Sequence, residues 1–283
     1  MPAPPTATTI RPVGNPESEN AMPIGSAGSV LAASKGTTPL RRTWRRAYGT
    51  AYGCSDLHTH IRWRAIRKVI ETRGSVVDVG CGDGMLTLEW AKASPSVSVR
   101  GIDLDVEAIR QAEQTRLGLG AHNVRFEVAD VSTSDLGSTD SVLMLDILEH
   151  VDADSELLRS ASRAMRPGGR LVVSTPTPNF PRFFGREFHE AVGHVRDGYW
   201  PEQLKTTLNA AGFDVEAISL YTMLPSSLVC SLYYRWLWRG KFGVLFSPVL
   251  NALSYLDTVW PFKRGASSVL VVARRSAAAA TAA

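Results

Sequence analysis

The sequence has few cysteines and no long apolar run. Its 283 residues contain three cysteines, Cys54, Cys81 and Cys230, which are too few and too scattered for a disulfide framework or a zinc site. This usage fits a reducing compartment, so we expect a cytoplasmic protein. No run reaches the roughly 18 apolar residues that indicate a membrane-spanning helix. With 44% apolar and 20% charged residues, the composition is that of a globular protein and excludes a fully disordered or fibrous chain.

Both ends of the chain lack residues that could build a core. Residues 1–40 are rich in Pro, Ala, Gly, Ser and Thr, and residues 276–283 read SAAAATAA. Such segments bury too little to offset the entropy of ordering, so we predict two disordered tails. Residues 1–40 also lack the basic start and apolar run of a secretory signal peptide. The acid-poor residues 1–46, rich in Ser and Thr, leave an organellar transit peptide open.

Charge and aromatic residues are unevenly distributed. Residues 1–73 carry 11 basic and 4 acidic side chains, whereas residues 74–283 carry 20 and 23. Within residues 41–73, apolar positions near one face predict a basic N-terminal helical segment. Ten of the 23 aromatic residues lie between Tyr221 and Phe262, and residues 221–264 carry five basic residues and one acid. The basic front end and the basic, aromatic late segment both need a function.

Residues 74–275 alternate between short apolar runs and longer amphipathic stretches. The strand-like runs are SVVDVG, SVRGIDL, VRFEVADV, DSVLMLD, RLVVSTP, FDVEAISLY and SSVLVVARR. Helical stretches separate most of these runs, and the breaker RPGG ends one of them. Continuous apolar strands joined by helices indicate an α/β fold with a sheet covered on both faces. In such folds the ligand crevice lies at the carboxyl ends of the strands.

A glycine-rich loop follows the first predicted strand. In VVDVGCGDG, Gly80, Gly82 and Gly84 allow the backbone to approach a ligand closely. Position 85 is Met, whereas a dinucleotide-binding loop would have its third glycine there. Asp78, just before the loop, suits a ligand with a cationic amine better than a pyrophosphate.

Two further carboxylates end the next two predicted strands. Asp103, in GIDLD, can accept both hydroxyls of a ribose, and Asp130, in VADV, can accept from an exocyclic adenine amine. An amine, a ribose and an adenine in that order describe S-adenosylmethionine. The chain resembles the class I S-adenosylmethionine-dependent methyltransferases through DVGCGDG, GIDLD, VADV, LDILEHV and RPGGRLVVSTP, over roughly residues 74–220 and 267–275.

The resemblance implies a fold and a cofactor site. The fold is a Rossmann-like, doubly wound seven-stranded sheet whose last strand is antiparallel. The methyltransferase domain is expected to span residues 74–275. The glycines wrap the methionine part, Asp103 holds the ribose, Leu104 lies against the adenine, and Asp146 lines the pocket. The implied cofactor-binding residues are Asp78, Gly80, Cys81, Gly82, Gly84, Asp103, Leu104, Asp130, Val131 and Asp146. No metal is expected.

Two histidines are candidates for a catalytic base. A hydroxyl acceptor must lose its proton, and histidine suits this role because its pKa lies near the working pH. His189 and His194 lie in REFHEAVGHVRDGY, a stretch that overhangs the transferring methyl group in this family. We predict that one of them is the base or orients the substrate; the alternative is that they anchor the loop. His150 is expected to form a pocket wall, and His60 either lines the site or faces solvent.

The segment between strands six and seven is longer than the short hairpin common in this family. Residues 221–265 are predicted to form a helical insertion, and three interpretations stay open: a lid on the core, a membrane-surface anchor formed by residues 221–264, or a homodimer interface. Trp and Tyr suit a lipid interface, and Arg and Lys suit anionic headgroups. Nucleic acid is not an expected partner, because no recognition module is visible.

These observations predict an enzyme that transfers a methyl group to oxygen of a small-molecule or lipid-linked acceptor. LEHV together with GHVRDGY is similar to the ubiquinone-biosynthesis-type O-methyltransferases. One alternative is methylation of nitrogen or carbon in a natural-product or cell-surface glycan pathway. Another is a non-catalytic module that binds S-adenosylmethionine. The expected location is cytoplasmic, peripheral to the membrane if the anchor interpretation holds.

Overall fold

The computed structural model describes most of the chain beyond residue 56. The described ranges are 57–70, 73–131, 133–134, 137–186, 193–233, 243–263 and 265–277, without the side chains of 181 and 243–247. The predicted tail 1–40, the first part of the predicted segment 41–73, and most of 276–283 lie outside these ranges. His189 lies outside them as well.

Seven strands form one mixed sheet. They are β1 (Ser75–Val79), β2 (Ser98–Asp103), β3 (Val124–Val128), β4 (Thr139–Leu145), β5 (Met165–Pro176), β6 (Phe213–Tyr221) and β7 (Ser268–Arg275). Their order across the sheet is β3-β2-β1-β4-β5-β7-β6. β7 runs antiparallel to both of its neighbours, and the other neighbouring pairs are parallel. The predicted fold class, with its antiparallel last strand, is confirmed.

One strand begins earlier than its sequence pattern predicts. The pattern places the fifth strand at RLVVSTP, from Arg170, after the breaker RPGG. In the structure β5 begins at Met165, which pairs with Thr139, and the register shifts before Ser141 pairs with Arg170. The Pro-Gly-Gly sequence is therefore accommodated as an irregularity of the strand, which hydrophobic periodicity does not reveal.

Helices cover both faces of the sheet. They are α1 (Leu57–Ile66), α2 (Met85–Ala93), α3 (Val106–Leu119), α4 (Asp154–Ala164), α5 (Phe180–Phe184), α6 (Pro201–Ala210), α7 (Leu224–Leu232) and α8 (Gly243–Ser254). Neighbouring residues of one strand point to opposite faces, so Val76 packs in one core layer and Val77 in the other. The layer with Val77 contains α4 and α6, while the layer with Val76 contains the other six helices.

The predicted helical insertion is present between β6 and β7. It consists of α7, α8 and the 3₁₀ turn Tyr255–Thr258 in its described part. The carboxylate of Asp257 accepts hydrogen bonds from the backbone N–H groups of Met223 (2.9 Å) and Ser226 (3.1 Å), which lie at the start of α7. A negative charge at a helix N-terminus is stabilising, so Asp257 fixes α7 against the turn that follows α8.

Both insertion helices pack against the front helix α1. Arg64 of α1 donates to the side chain (3.1 Å) and the carbonyl (2.9 Å) of Ser254 on α8. Its guanidinium also lies 4.2 Å from the centre of the Tyr255 ring. Each helix in the described part of the chain falls short of the length and apolar character that crossing a membrane requires.

Candidate active site

The glycine-rich loop joins β1 to α2 and is held against the end of β2. The backbone N–H groups of Gly80 (2.8 Å) and Cys81 (3.0 Å) both donate to the carbonyl of Ile102. Gly80, Gly82 and Gly84 all have positive φ, at 70°, 55° and 74°, a region where a Cβ atom is unfavourable. The loop conformation therefore favours glycine at all three positions.

The three glycines differ in what surrounds them. A Cβ at Gly84 would lie 2.5 Å from the Phe126 ring, and one at Gly80 would clash with the end of the Ile147 side chain. A Cβ at Gly82 would meet no atom within 4 Å. Gly80 and Gly84 are therefore needed for packing, while the backbone at Gly82 borders open space that a ligand can approach.

Asp78 lies buried beneath this loop. Its Oδ2 accepts a hydrogen bond from Thr87 Oγ1 at 2.5 Å, and its Oδ1 has no partner among the described residues. Burial raises the pKa of this carboxyl to about 7, the Thr87 hydrogen bond opposes that rise, and the charge of Asp103 adds to it. An unpartnered buried carboxylate oxygen is costly. A cationic amine at this position would satisfy it, so the site fits the ammonium group of S-adenosylmethionine.

Asp103 connects the glycine loop to the start of α3. Its Oδ2 accepts from the backbone N–H of Gly82 at 2.8 Å, and its Oδ1 accepts from that of Asp105 at 2.9 Å. A carboxylate has about four lone-pair sites, so each oxygen can accept a further hydrogen bond, as the ribose role requires. Leu104, next to it, is 38% exposed and presents an apolar surface beside this carboxylate.

The remaining predicted adenine contacts follow β3. The backbone N–H of Ala129 donates to the carbonyl of Asp103 at 3.0 Å, which brings this segment beside the end of β2. Asp130 is partly exposed and Val131 is buried.

Cys81, in the glycine-rich loop, has a pKa raised by burial and by three nearby carboxylates. Its thiol is therefore neutral, which suits a small loop residue rather than a nucleophile.

Asp146 lies at the end of β4 in a left-handed conformation, with φ of 55°. It forms an ion pair with Arg62 of α1, and its Oδ1 accepts from Ser174 Oγ at 2.8 Å. The Ser174 hydroxyl also hydrogen-bonds the Tyr221 hydroxyl at 2.6 Å. Strained backbone at a non-glycine residue is commonly found at functional sites. The carboxyl ends of β4, β5 and β6 thus meet the front helix in one polar network.

A second polar group lies beside this network. Glu149 is 1% exposed; its Oε2 accepts from Thr175 Oγ1 at 3.0 Å, and its Oε1 has no partner among the described residues. Burial and the charge of Asp146 raise the pKa of Glu149 well above its usual value. Both causes favour the neutral form of this carboxyl.

His194 lies next to Glu149 and His150. The imidazole rings of His150 and His194 are 4.7 Å apart in an edge-to-face arrangement. One ligand atom from each of Glu149, His150 and His194 lies within 4.8 Å of the others, a grouping that could hold a metal ion. The sequence names His194 beside His189, which lies outside the described residues; among the described residues His194 lies beside residues that follow β4.

The segment around His194 is fastened to the loop that precedes α4. The backbone N–H of Val195 donates to the Glu149 carbonyl at 2.9 Å. Arg196 forms an ion pair with Asp154 and donates to the carbonyl of Val151 at 2.6 Å. These contacts hold His194 in a defined position at the carboxyl ends of β4 and β5.

Several residues of this site were not among the site residues predicted from the sequence. Glu149 stands beside His150 in LEHV, and Ser174 lies near the end of the predicted strand RLVVSTP, so both had a positional signal. Arg62 had none, because it lies on a helix outside the strand pattern. His60 is buried, with its ring 6.4 Å from that of Tyr255, and does not face solvent.

Known proteins are similar to this chain in sequence and in fold. A family model described as a methyltransferase domain matches residues 70–212. A ubiquinone biosynthesis O-methyltransferase of Xanthomonas axonopodis pv. citri (strain 306) is 29% identical over 207 residues, covering 69% of this chain and 81% of the relative. That of Cupriavidus pinatubonensis (strain JMP 134 / LMG 1197) is 33% identical over 168 residues, covering 56% and 67%.

A solved structure is similar in fold. The S-adenosylmethionine-dependent methyltransferase from Mesorhizobium loti matches with a TM-score of 0.53 and 22% identity, covering 78% of this chain and 100% of that one. At this identity the likeness concerns the fold alone. The sequence relatives and the family model carry the similarity in function.

Proposed function

The chain belongs to the class I S-adenosylmethionine-dependent methyltransferases, and we propose that it methylates an oxygen atom of a small-molecule or lipid-linked acceptor. The observation that carries this proposal is the position of His194 beside Glu149, at the carboxyl ends of β4 and β5. A hydroxyl acceptor needs a base there, whereas a free amine can react without one. The relatives named as O-methyltransferases support the same choice.

The first half of the site would hold the cofactor. S-adenosylmethionine supplies an electrophilic methyl group when it is bound. In the proposal Asp78 binds its ammonium group, Asp103 accepts from its ribose hydroxyls, and Leu104 contacts its adenine. The open backbone at Gly82 supports this arrangement, as does the unpartnered Oδ1 of Asp78. Orientation of the two reactants is the main contribution of the protein to such a displacement.

His194 is the proposed base among the described residues. Its imidazole can take the acceptor proton near neutral pH, and such proton transfer contributes about 10²–10⁴-fold to rate. Glu149 is a positioning residue in this proposal, since its carboxyl lies within reach of the same imidazole. His189, which lies outside the described residues, remains the alternative base from the sequence. The proposal also keeps a cytoplasmic location, in which scattered cysteines stay reduced.

A methyl-release assay tests the acceptor atom. The purified chain is supplied with S-adenosylmethionine and with acceptors that carry a hydroxyl, an amine or an activated carbon, each in free and lipid-linked form. We expect S-adenosylhomocysteine to form with hydroxyl acceptors. Formation only with amines or carbon acceptors would exclude the oxygen assignment. No turnover with any of them, despite cofactor binding by calorimetry, would favour the non-catalytic module.

The histidine variants test the base. We expect His194→Ala to lower turnover about 10²–10⁴-fold while cofactor affinity stays near that of the wild type. His122→Ala is the control, because His122 is exposed on a loop. His189→Ala is measured beside it to separate the two candidates. Wild-type turnover in both His189→Ala and His194→Ala would exclude both as the base.

A further inference from the structure

The outer side of α8 and the turn after it carry a stripe of exposed apolar side chains. Val249, Leu253, Leu256 and Val259 are between 44% and 76% exposed. Their spacing of three to four residues places them on one side of the helical segment. We call these four residues the outer stripe. Exposed apolar residues in such a continuous row mark a surface that contacts something else.

The outer stripe is not a misplaced part of the core. Leu250, Asn251 and Ser254, on the opposite side of α8, are buried. Arg64 of α1 donates to both the side chain and the carbonyl of Ser254, which fixes the rotation of α8 about its axis. The helix therefore already has its core-facing side, and the outer stripe is left for a different contact.

The insertion is basic in composition, and its described part carries two charged side chains. Among the described residues of the insertion, 224–233 and 248–263, the charged side chains are Asp257 and Lys263. Asp257 is engaged by the start of α7, through Met223 and Ser226, and is partly buried, whereas Lys263 is exposed. In the whole segment 221–264 the basic residues outnumber the acid: Arg235, Arg239, Lys241, Lys263 and Arg264 against Asp257.

Aromatic residues lie next to the outer stripe. Phe262 is 68% exposed, and its ring lies 6.1 Å from that of Trp260 in a T-shaped pair. Trp rings are favoured at the boundary between hydrocarbon and water, because they are apolar with one polar atom. An apolar row, neighbouring aromatic residues and a segment of basic composition form the pattern of a helix that lies in the plane of a lipid surface.

We propose that the outer stripe docks on an anionic lipid bilayer. The positive charge of segment 221–264 complements anionic headgroups and draws the apolar row to the surface. A second copy of the chain complements it poorly, because a twofold interface would bring two net-positive segments together. The docking goes beyond the proposed function, since it needs neither cofactor nor acceptor.

Vesicle co-sedimentation of the full chain tests this docking. The vesicles are phosphatidylcholine alone and phosphatidylcholine mixed with phosphatidylglycerol, each at low and high ionic strength. We expect binding to the mixed vesicles, weakened by salt. The triple variant Val249→Gln/Leu253→Gln/Leu256→Gln should bind at least about tenfold more weakly, because each lost apolar contact costs roughly that factor. Gln is a good helix former, so α8 is retained.

A matched triple variant serves as control. Val106, Leu117 and Leu119 of α3 are 67% to 68% exposed, so replacing them with Gln removes similar side chains from a surface far from the insertion in sequence. This control should bind vesicles as the wild type does. Phe262→Gln, outside both insertion helices, should give a smaller loss and tests the docking independently of α8.

Three outcomes would overturn the proposal. The first is no binding of the wild-type chain to mixed vesicles at low ionic strength. The second is equal binding by the outer-stripe variant and the wild type. The third is a wild-type dimer in sedimentation velocity that the outer-stripe variant converts to monomer, which would assign the surface to a second copy. Each is measured without turnover, so failure of the methylation proposal leaves the result intact.

Discussion

At the scale of single residues, the protonation of Asp78 should set the pH range in which the cofactor binds. Burial raises the pKa of this carboxyl to about 7, whereas a nearby ammonium group favours the ionised form. Below about pH 7 the free protein therefore holds a proton that the ligand must displace. We expect affinity for S-adenosylmethionine to fall by about tenfold for each pH unit below 7. Calorimetry in two buffers of different ionisation enthalpy measures both the affinity and the proton release.

Asp78→Asn is the control for this pH dependence. The variant should bind the cofactor weakly and with little change between about pH 6 and pH 8, because no carboxyl remains at this position to titrate.

The same carboxyl affects the stability of the wild-type protein. The pKa of Asp78 in the folded protein lies above the usual 3.8, so the free protein loses stability through this group as pH rises from about 4 to about 7. The variant should consequently be the more stable protein near pH 8. A wild-type affinity that is unchanged by pH, with no proton release, would contradict this account.

Gly82 and Gly84 have similar backbone conformations but different surroundings. Alanine at either position incurs roughly 1–2 kcal/mol for the left-handed conformation. Only at Gly84 does the new Cβ meet the buried Phe126 ring, at 2.5 Å. We expect Gly84→Ala to be about 1–3 kcal/mol more destabilising than Gly82→Ala, as is typical of overpacking. Urea denaturation of the ligand-free variants measures the difference, and equal free energies of unfolding would contradict the packing argument.

At the scale of elements, buried strands and the residues that end them were predictable from sequence. A strand such as VVDVG is continuously apolar because helices cover both faces, and its loop follows directly along the chain. Asp78 and Asp103 were therefore predictable as neighbours. Contacts between distant elements were not predictable. Arg62 and Asp146 are 84 residues apart in the sequence, and no local sequence pattern indicates that they form a contact. The left-handed backbone of Asp146 was not predicted either: aspartate tolerates this conformation better than most residues, but its sequence does not require it.

The ion pair between Arg62 and Asp146 ties the front helix to the sheet. Both side chains are mostly buried, at 16% and 21% exposed, so removal of one partner leaves the other charge poorly solvated. We expect Arg62→Met to lower the free energy of unfolding by about 1–3 kcal/mol. Adding Asp146→Asn to this variant should restore part of the loss, because it removes the unpaired charge. Chemical denaturation of the single and double variants measures both effects.

Arg186→Met is the matched control for this ion pair. Arg186 and Asp197 form a pair at 3.4 Å whose side chains are 65% and 42% exposed. Exposed pairs contribute about 0–1 kcal/mol, so this variant should be nearly as stable as the wild type. If Arg62→Met has an equally small effect, or Asp146→Asn deepens its loss, the front helix is held by apolar packing instead.

At the scale of the whole molecule, the insertion and the sheet share one core. Cys230 and Val229 of α7 pack in the same apolar layer as Leu57 of α1, Trp90 of α2 and Val76 of β1. From the sequence alone, the insertion looks like a separate unit, because its aromatic and charged residues lie in one continuous stretch. In the structure α1 joins it to the sheet, so unfolding of α7 exposes part of the layer that covers β1.

Shared packing predicts a single cooperative unfolding transition, with Cys230 as its reporter. In a Cys54→Ser/Cys81→Ser background Cys230 is the remaining thiol, and it is fully buried. Pulsed thiol labelling across a urea series should give the same midpoint as far-UV circular dichroism, because the thiol becomes accessible only when the common core opens. Labelling of Cys230 at clearly lower urea would show that the insertion unfolds on its own. The outer stripe would then belong to a separable module, and vesicle binding by that module alone could be measured directly.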